Sequence, residues 1–419
     1  MVAIQEKKKA LVIPKIRFRD FKDGWVEISY GDFLHQELRE IAKPRGLYKG
    51  IGLRSHFKGT FRREDSDPSK ISMEKLFKVK ERDLIVNITF AWEGALAIAK
   101  KEDDGGLVSH RFPTFTFDES ITTPEYFYFV FPTKKMKYVL SNISPGGAGR
   151  NRVLDKKDFL KLKVYLPSIS EQQKITSFLG AIDIWLNNLH REVVLLRRYK
   201  EAMIQKIFSQ EIRFKGEKGR SFPDWEEKKL GDIGNIRTSS IDKKINTNEK
   251  KVRLLNYMDV YKRNHIFVSD ILQEVTAKDT QIQSCDLRKG DIMFTPSSET
   301  PDDIGRSAVV MEDLPNTVFS YHLVRLRPRN KILVPEFSAY AFQNYSFYKK
   351  LWRLAQGATR FTLSLDSFNK VLVLIPKSLI EQEMIGNFLL SLDKVIESKD
   401  LEIANVERWK KGLMQQLFI

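Results

Sequence analysis

The chain has 419 residues, with 71 Lys and Arg against 54 Asp and Glu, and its formal net charge is +17 with the six His neutral. The length permits more than one domain, because single cores stop growing by about 300 residues. A 42% hydrophobic share excludes a disordered chain, and the lone Cys285 excludes a disulfide framework or a Cys-based zinc site. No apolar run approaches the roughly 18 residues of a membrane span, since YFYFVF at 126–131 ends at Pro132 and Lys134. The ALVI that follows Lys7, Lys8 and Lys9 is too short for a signal-peptide core. The expectation is a soluble, cytoplasmic protein with no membrane partner, whose surplus positive charge favours a polyanion, most often nucleic acid.

In chain order, an N-terminal tail (1–14) leads into a block over 15–168. Its short runs rich in Val, Ile, Phe and Tyr (DLIVNITF, FPTFTF, KLKVYL) read as strands, and PEYFYFVF reads as helix. A helical spacer is predicted over 169–211. A second block over 212–377 opens on the linker-like FKGEKGRSFPDW. It carries DIMFT, HLVRLR and KVLVLI as strands, with PEFSAYAFQNYSFYKKLWRLA as helix. A second helical spacer closes the chain over 378–419.

The two halves repeat. KVYLPSISEQQKITSFLGAID in the first corresponds to VLVLIPKSLIEQEMIGNFLLSLD in the second, pairing Pro167 with Pro376, Glu171-Gln172 with Glu381-Gln382, Ile175 with Ile385, Phe178 with Phe388 and Asp183 with Asp393. PGGAGRNRVL corresponds to AQGATRFTLS, setting Gly147 opposite Gly357 and Arg150 opposite Arg360. Trp25 and Trp225 each stand six residues before a Gly-Asp, and Asp83 falls opposite Asp291.

Both spacers carry heptads. One series reads Ile175, Ile182, Leu189, Leu196, Met203, and the other Leu179, Leu186, Val193, Lys200, Ile207. The second spacer gives Ile385, Leu392, Lys399, Val406, Leu413 and Leu389, Ile396, Ile403, Lys410, Leu417, with Lys410 at the position equivalent to Lys200. No Pro or Gly interrupts 181–208 or 387–408, so each should be one long helix, roughly 57 Å for 171–208. The predicted helix-pair interface comprises Leu179, Ile182, Leu186, Leu189, Val193 and Leu196 against Leu389, Leu392, Ile396, Ile403, Val406 and Leu413.

The fold class expected is α+β: two repeated mixed α/β domains separated by two long antiparallel helices in a coiled coil, with pseudo-twofold symmetry. Duplex DNA offers the same dyad, and paired modules meet half-sites set apart by turns of about 34 Å. Divergence between the blocks predicts a split, asymmetric target.

The duplicated Gly-x-x-Arg, Leu/Ile-Pro and Glu-Gln-x-x-Ile run before each long helix resembles the specificity subunit of type I restriction–modification systems, over nearly the whole chain. The second half departs with Ile375-Pro376 and one extra residue before Glu381. The resemblance implies a non-catalytic, sequence-specific DNA-binding subunit. Each recognition domain would read one half of a bipartite target, and the helices would set the gap and dock the methyltransferase. It further implies double-stranded DNA, two methyltransferase subunits and two restriction subunits as partners. S-adenosylmethionine, ATP and Mg²⁺ would be used on those partners and no cofactor bound by this chain.

The residues oppose the alternative, a self-sufficient restriction nuclease or modification enzyme. No Asn/Asp-Pro-Pro-aromatic tetrad, Walker loop or His pair at zinc spacing occurs. Pro223-Asp224 with Glu249-Lys250-Lys251 formally resembles a metal-nuclease signature, but such matches arise readily among 71 basic residues. No catalytic or metal residue is assigned. His110 and His322, each near a Ser in strand-like runs, read as structural.

Three groups of residues are candidates for DNA contact. The glycine-bearing turns supply Arg150, Arg152, Thr359, Arg360 and Thr362, since Gly permits close backbone approach and Arg can grip phosphate or guanine. The loops after the central strands supply Asn87, Trp92, Ser297, Ser298 and Arg306. The run GLRSHFKGTFRR supplies Arg54, Ser55, Lys58, Arg62 and Arg63 between aromatics.

Overall fold

The computed structural model describes residues 11–144 and 152–418. The chain divides into two compact units, one of residues 1–190 and 402–419, the other of residues 191–401. The division runs through both long helices, Ile169–Phe208 and Leu379–Leu417, so each unit holds one α/β block and a section of each helix.

In the first unit, a four-stranded sheet runs in the order Leu34–Glu37, Thr114–Phe117, Leu84–Val86, Leu96–Ile98. A second sheet pairs Tyr48–Leu53 with Thr60–Ser66 through a six-residue connection, residues 54–59. The second unit repeats the first sheet as Gly234–Thr238, Val324–Pro328, Ile292–Phe294, Ser307–Val310, and adds a fifth strand, His265–Ile266, parallel to Ser307–Val310. That strand lies within the 18 residues, 256–273, that join Lys250–Leu255 to Glu274–Ala277.

The registers match residue for residue. Leu84 pairs with Ile98 and Val86 with Leu96, as Ile292 pairs with Val309 and Phe294 with Ser307. The fully buried residues Ile292, Phe294, Phe337, Tyr340 and Phe368 centre the second core, while Tyr30, Phe33, Phe115, Phe127 and Phe159 do the same in the first. Asp83 and Asp291, both buried, each close the turn before the central strand. Asp83 accepts from Lys80 N and a two-pronged Arg39, and Asp291 from Arg288 N and a two-pronged Arg327. Burial pushes the Asp83 carboxyl up, against the pull of Arg39.

The Glu-Gln motif is where each long helix is tied to its block. Glu171 and Glu381, fully buried, receive two-pronged donation from Arg17 (2.7 and 2.7 Å) and Arg213 (3.1 and 3.1 Å). Gln172 donates to the carbonyls of Ile121 and Pro167, and Gln382 to those of Ile332 and Pro376. A buried carboxylate needs such pairing, and the side-chain amide satisfies two loop carbonyls at once.

Within each unit the two helix sections run antiparallel. Lys410 pairs with Asp183 and Glu407 lies 3.6 Å from His190 in the first; Lys200 pairs with Asp393 and Arg197 with Asp400 in the second. Of the expected seam residues, Leu179, Ile182, Leu186, Leu189, Val193, Leu389, Ile396, Ile403 and Val406 are buried, and Leu196, Leu392 and Leu413 half-buried. The histidine reading needs correction. His110 lies in an exposed turn beyond Leu107–Val108, and His322 in a turn two residues before the strand Val324–Pro328. A Ser one or two residues before each His there marks a turn rather than a strand.

Candidate nucleic-acid interface

In the second unit, the loop after the central strand contains a two-residue strand, Ser297–Ser298, which pairs antiparallel with Phe361–Thr362. Leu363 N donates to Pro296 O at 2.9 Å, and Gln356 and Thr362 exchange backbone hydrogen bonds across the turn. Gly357 makes the turn possible: its φ is +137°, and a Cβ there would lie 2.0 Å from Arg360 O. The turn presents Thr359, Arg360 and Thr362, all exposed.

Arg360 donates to Ser297 Oγ at 3.1 Å, and Tyr257 OH donates to Ser297 O at 2.8 Å. Ser297 and Ser298 are buried, and the Ser298 hydroxyl donates to Thr300 O, so both hydroxyls are engaged within the protein. Arg306 is likewise held: it pairs with Asp303 at 2.9 Å and lies over the Tyr261 and Tyr348 rings.

Sequence reasoning did not select Tyr257 and Tyr261, whose rings stack at 5.9 Å on one short helix; the available signal was their four-residue spacing. Burial, then the charges of Arg360 and Lys243, hold His322 below its ordinary value. It is therefore neutral at pH 7 and offers one donor and one acceptor.

In the first unit the three candidate groups converge. His56 N and Phe57 N donate to Glu93 O and Gly94 O, both at 2.8 Å, and Ser55 Oγ donates to the Glu93 carboxylate at 2.7 Å. Arg152 lies over the Trp92 ring at 5.4 Å and reaches Ser141. Leu154 N donates to Ile88 O at 2.8 Å, the counterpart of the Leu363–Pro296 bond.

Arg54 and Arg63 both lie by the Phe61 ring, at 5.6 and 5.3 Å; that ring covers Gly52, where a Cβ would come within 2.2 Å of it. Arg62 reaches the buried Asp103 at 3.3 Å, Asn87 is buried and caps Thr89 N, and Lys58 is exposed. Arg150 lies outside the described residues.

Among the described residues no three His, Cys, Asp or Glu converge as a metal site, and no helix is long and apolar enough to cross a membrane. Glu249, from the nuclease-like run, is occupied with Asn246 and Thr276, and Asp224 is exposed beside Arg213.

The chain is matched over residues 61–194 and 223–408 by the family described as Type I restriction modification DNA specificity domain. It belongs to that family. The type I restriction enzyme MjaVIII specificity subunit of Methanocaldococcus jannaschii is 25% identical over 360 residues, covering 82% of this chain and 81% of that protein. The MjaIX specificity subunit of the same organism is 26% identical over 186 residues, 42% of each chain.

Solved structures share the fold. The type I restriction–modification S subunit from M. genitalium has a TM-score of 0.54 at 15% identity, covering 97% of this chain and 99% of that one. A chain from a study of complex assembly and conformational transition in the type I system has 0.58 at 14%, covering 94% and 97%. The chain is thus a specificity subunit, a recognition chain rather than an enzyme, and the self-sufficient nuclease or modification enzyme is not favoured.

Proposed function

We propose that residues 15–168 and 212–377 each read one part of a bipartite, asymmetric duplex target, and that the two long helices fix the unread gap. The supporting observation is the repeated docking of a turn onto the loop after the central strand, Leu154 on Ile88 and Leu363 on Pro296, with different side chains around each. A shared backbone frame with divergent Arg, Thr, Asn and Tyr residues is what separate base readouts on one scaffold require. Arg360, Thr359, Thr362, Tyr257 and His322 form the reading surface of the second domain, and Arg54, Arg63, Arg152 and Trp92 that of the first. Much of the +17 charge then serves phosphate contacts and a steep salt dependence.

As in the type I systems it resembles, the chain assembles in the cytoplasm with two DNA-adenine methyltransferase subunits and two ATP-dependent restriction subunits, which carry S-adenosylmethionine, ATP and Mg²⁺. Selection from random duplexes by the assembled methyltransferase complex tests the reading. Two short motifs at one fixed spacing are expected, and a single contiguous motif or no preference would overturn it.

A further inference from the structure

The two units differ where the repeat should make them alike. In the second, His265–Ile266 pairs with the outer edge of Ser307–Val310: Asn264 O accepts from Val309 N at 2.9 Å and Ile266 O from Met311 N at 3.0 Å, and the His265 ring packs on Tyr340 at 5.7 Å. In the first unit the equivalent strand, Leu96–Ile98, is the last of its sheet, with no strand on its outer edge among the described residues. The cause lies in chain length: six residues, 54–59, stand where the second unit has 18.

What the first unit has there is a cleft of about 650 Å³, lined by Leu96, Ala97 and Ile98 and by Phe129, the counterpart of Tyr340. Ala97 is the residue paired with Ile85, as Ala308 is with Met293, so the backbone groups of Ile98 face the cleft as those of Val309 face His265–Ile266. An open strand edge inside an apolar cleft is a template for strand addition. The rim carries the exposed Lys58, Lys100, Lys134 and Lys411, while Glu407, the one acid lining the cleft among the described residues, sits beside His190.

We propose that this cleft takes an extended, acidic segment of a partner protein, which adds as a parallel strand beside Leu96–Ile98 and supplies in trans what residues 256–273 supply in the second unit. The lysine rim disfavours the chain's own N-terminal segment, which carries Lys7, Lys8 and Lys9. Duplex DNA shares the charge preference but has no use for a strand edge or for the apolar lining of Phe129 and Met414. The inference goes beyond the DNA-reading assignment and does not depend on it.

The test uses the full chain and a synthetic strand-forming peptide alternating Glu or Asp with Val or Ile, alongside two versions N-methylated on alternate residues in opposite phase. Saturable binding is expected, weakened by Lys134→Glu and Lys411→Glu. One N-methyl phase should lose about fivefold or more for each hydrogen bond removed, and the other should bind nearly as the parent. Backbone amide exchange at Ile98 should slow with the parent peptide. Absence of binding, equal binding of the two N-methyl phases, or displacement of the peptide by a non-specific DNA duplex would each overturn the proposal. DNA selection run on the same protein reports on the reading domains separately.

Discussion

Lys200 and Asp393 form an ion pair between the two long helices of the second unit, and their repeat counterparts Lys410 and Asp183 form the same pair in the first. The lysines that break the heptad pattern are therefore matched polar contacts. Tyr340 OH also donates to Asp393 at 2.7 Å, and Lys200 lies over the Tyr340 ring, which ties the helix pair to the domain core. Phe129 takes the place of Tyr340 beside Lys410.

Removing one partner strands a largely buried charge. Asp393→Ala should cost about 2–3 kcal/mol in urea unfolding, and Lys200→Met with Asp393→Leu together should cost less. Asp183→Ala should cost less than Asp393→Ala, because Asp183 is 30% exposed against 16% for Asp393.

Arg360→Ala should relax the preference at one half-site and leave the other as it was, read by selection from random duplexes. A good bidentate base contact contributes about 1–3 kcal/mol of discrimination. Gly357→Ala should disturb the same half-site more, since its Cβ would overlap the Arg360 carbonyl.

A heptad inserted after Leu196, matched by one after Lys399, preserves the seam while lengthening the helices by about 10 Å. At about 3.4 Å per base pair the preferred gap should lengthen by about three base pairs with both half-sites unchanged. A changed half-site sequence in the selected duplexes would refute the spacer role.

His265 is held below its ordinary value of 6.5, first by burial and then through Lys200 and Lys394, with Asp393 and Glu336 opposing. The folded chain keeps it neutral where the unfolded chain takes a proton. Stability is therefore fully present above about pH 6.5 and is lost as pH falls from there toward the folded value. Thermal unfolding of His265→Phe should show a flatter dependence across that window.

The duplication and both long helices were legible because heptads, paired motifs and the absence of Pro and Gly are local properties of the chain. The surroundings of the candidate DNA contacts were not legible in the sequence. Arg360 stands at an exposed turn, Ser298 is engaged inside the protein, and Arg306, though exposed, is held by Asp303 beside two tyrosine rings, while Tyr257 and His322 come close to Arg360 from segments far apart in sequence. Nothing local in the sequence distinguishes an arginine that bonds a serine hydroxyl, as Arg360 does, from one held by an aspartate beside two tyrosine rings, as Arg306 is.

The sequence by itself determined the repeat, the helical spacers, the family and the kind of partner that a net charge of +17 favours. These follow from spacing and composition, which need no knowledge of what packs on what. Only the tertiary structure decided that Lys200 and Lys410 face matched aspartates, that the Glu-Gln motif anchors each helix through Arg17 and Arg213, and that Leu96–Ile98 is the last strand of its sheet among the described residues. Each of these depends on hydrogen-bond partners brought together from distant positions, and their geometry exists only once the chain has folded.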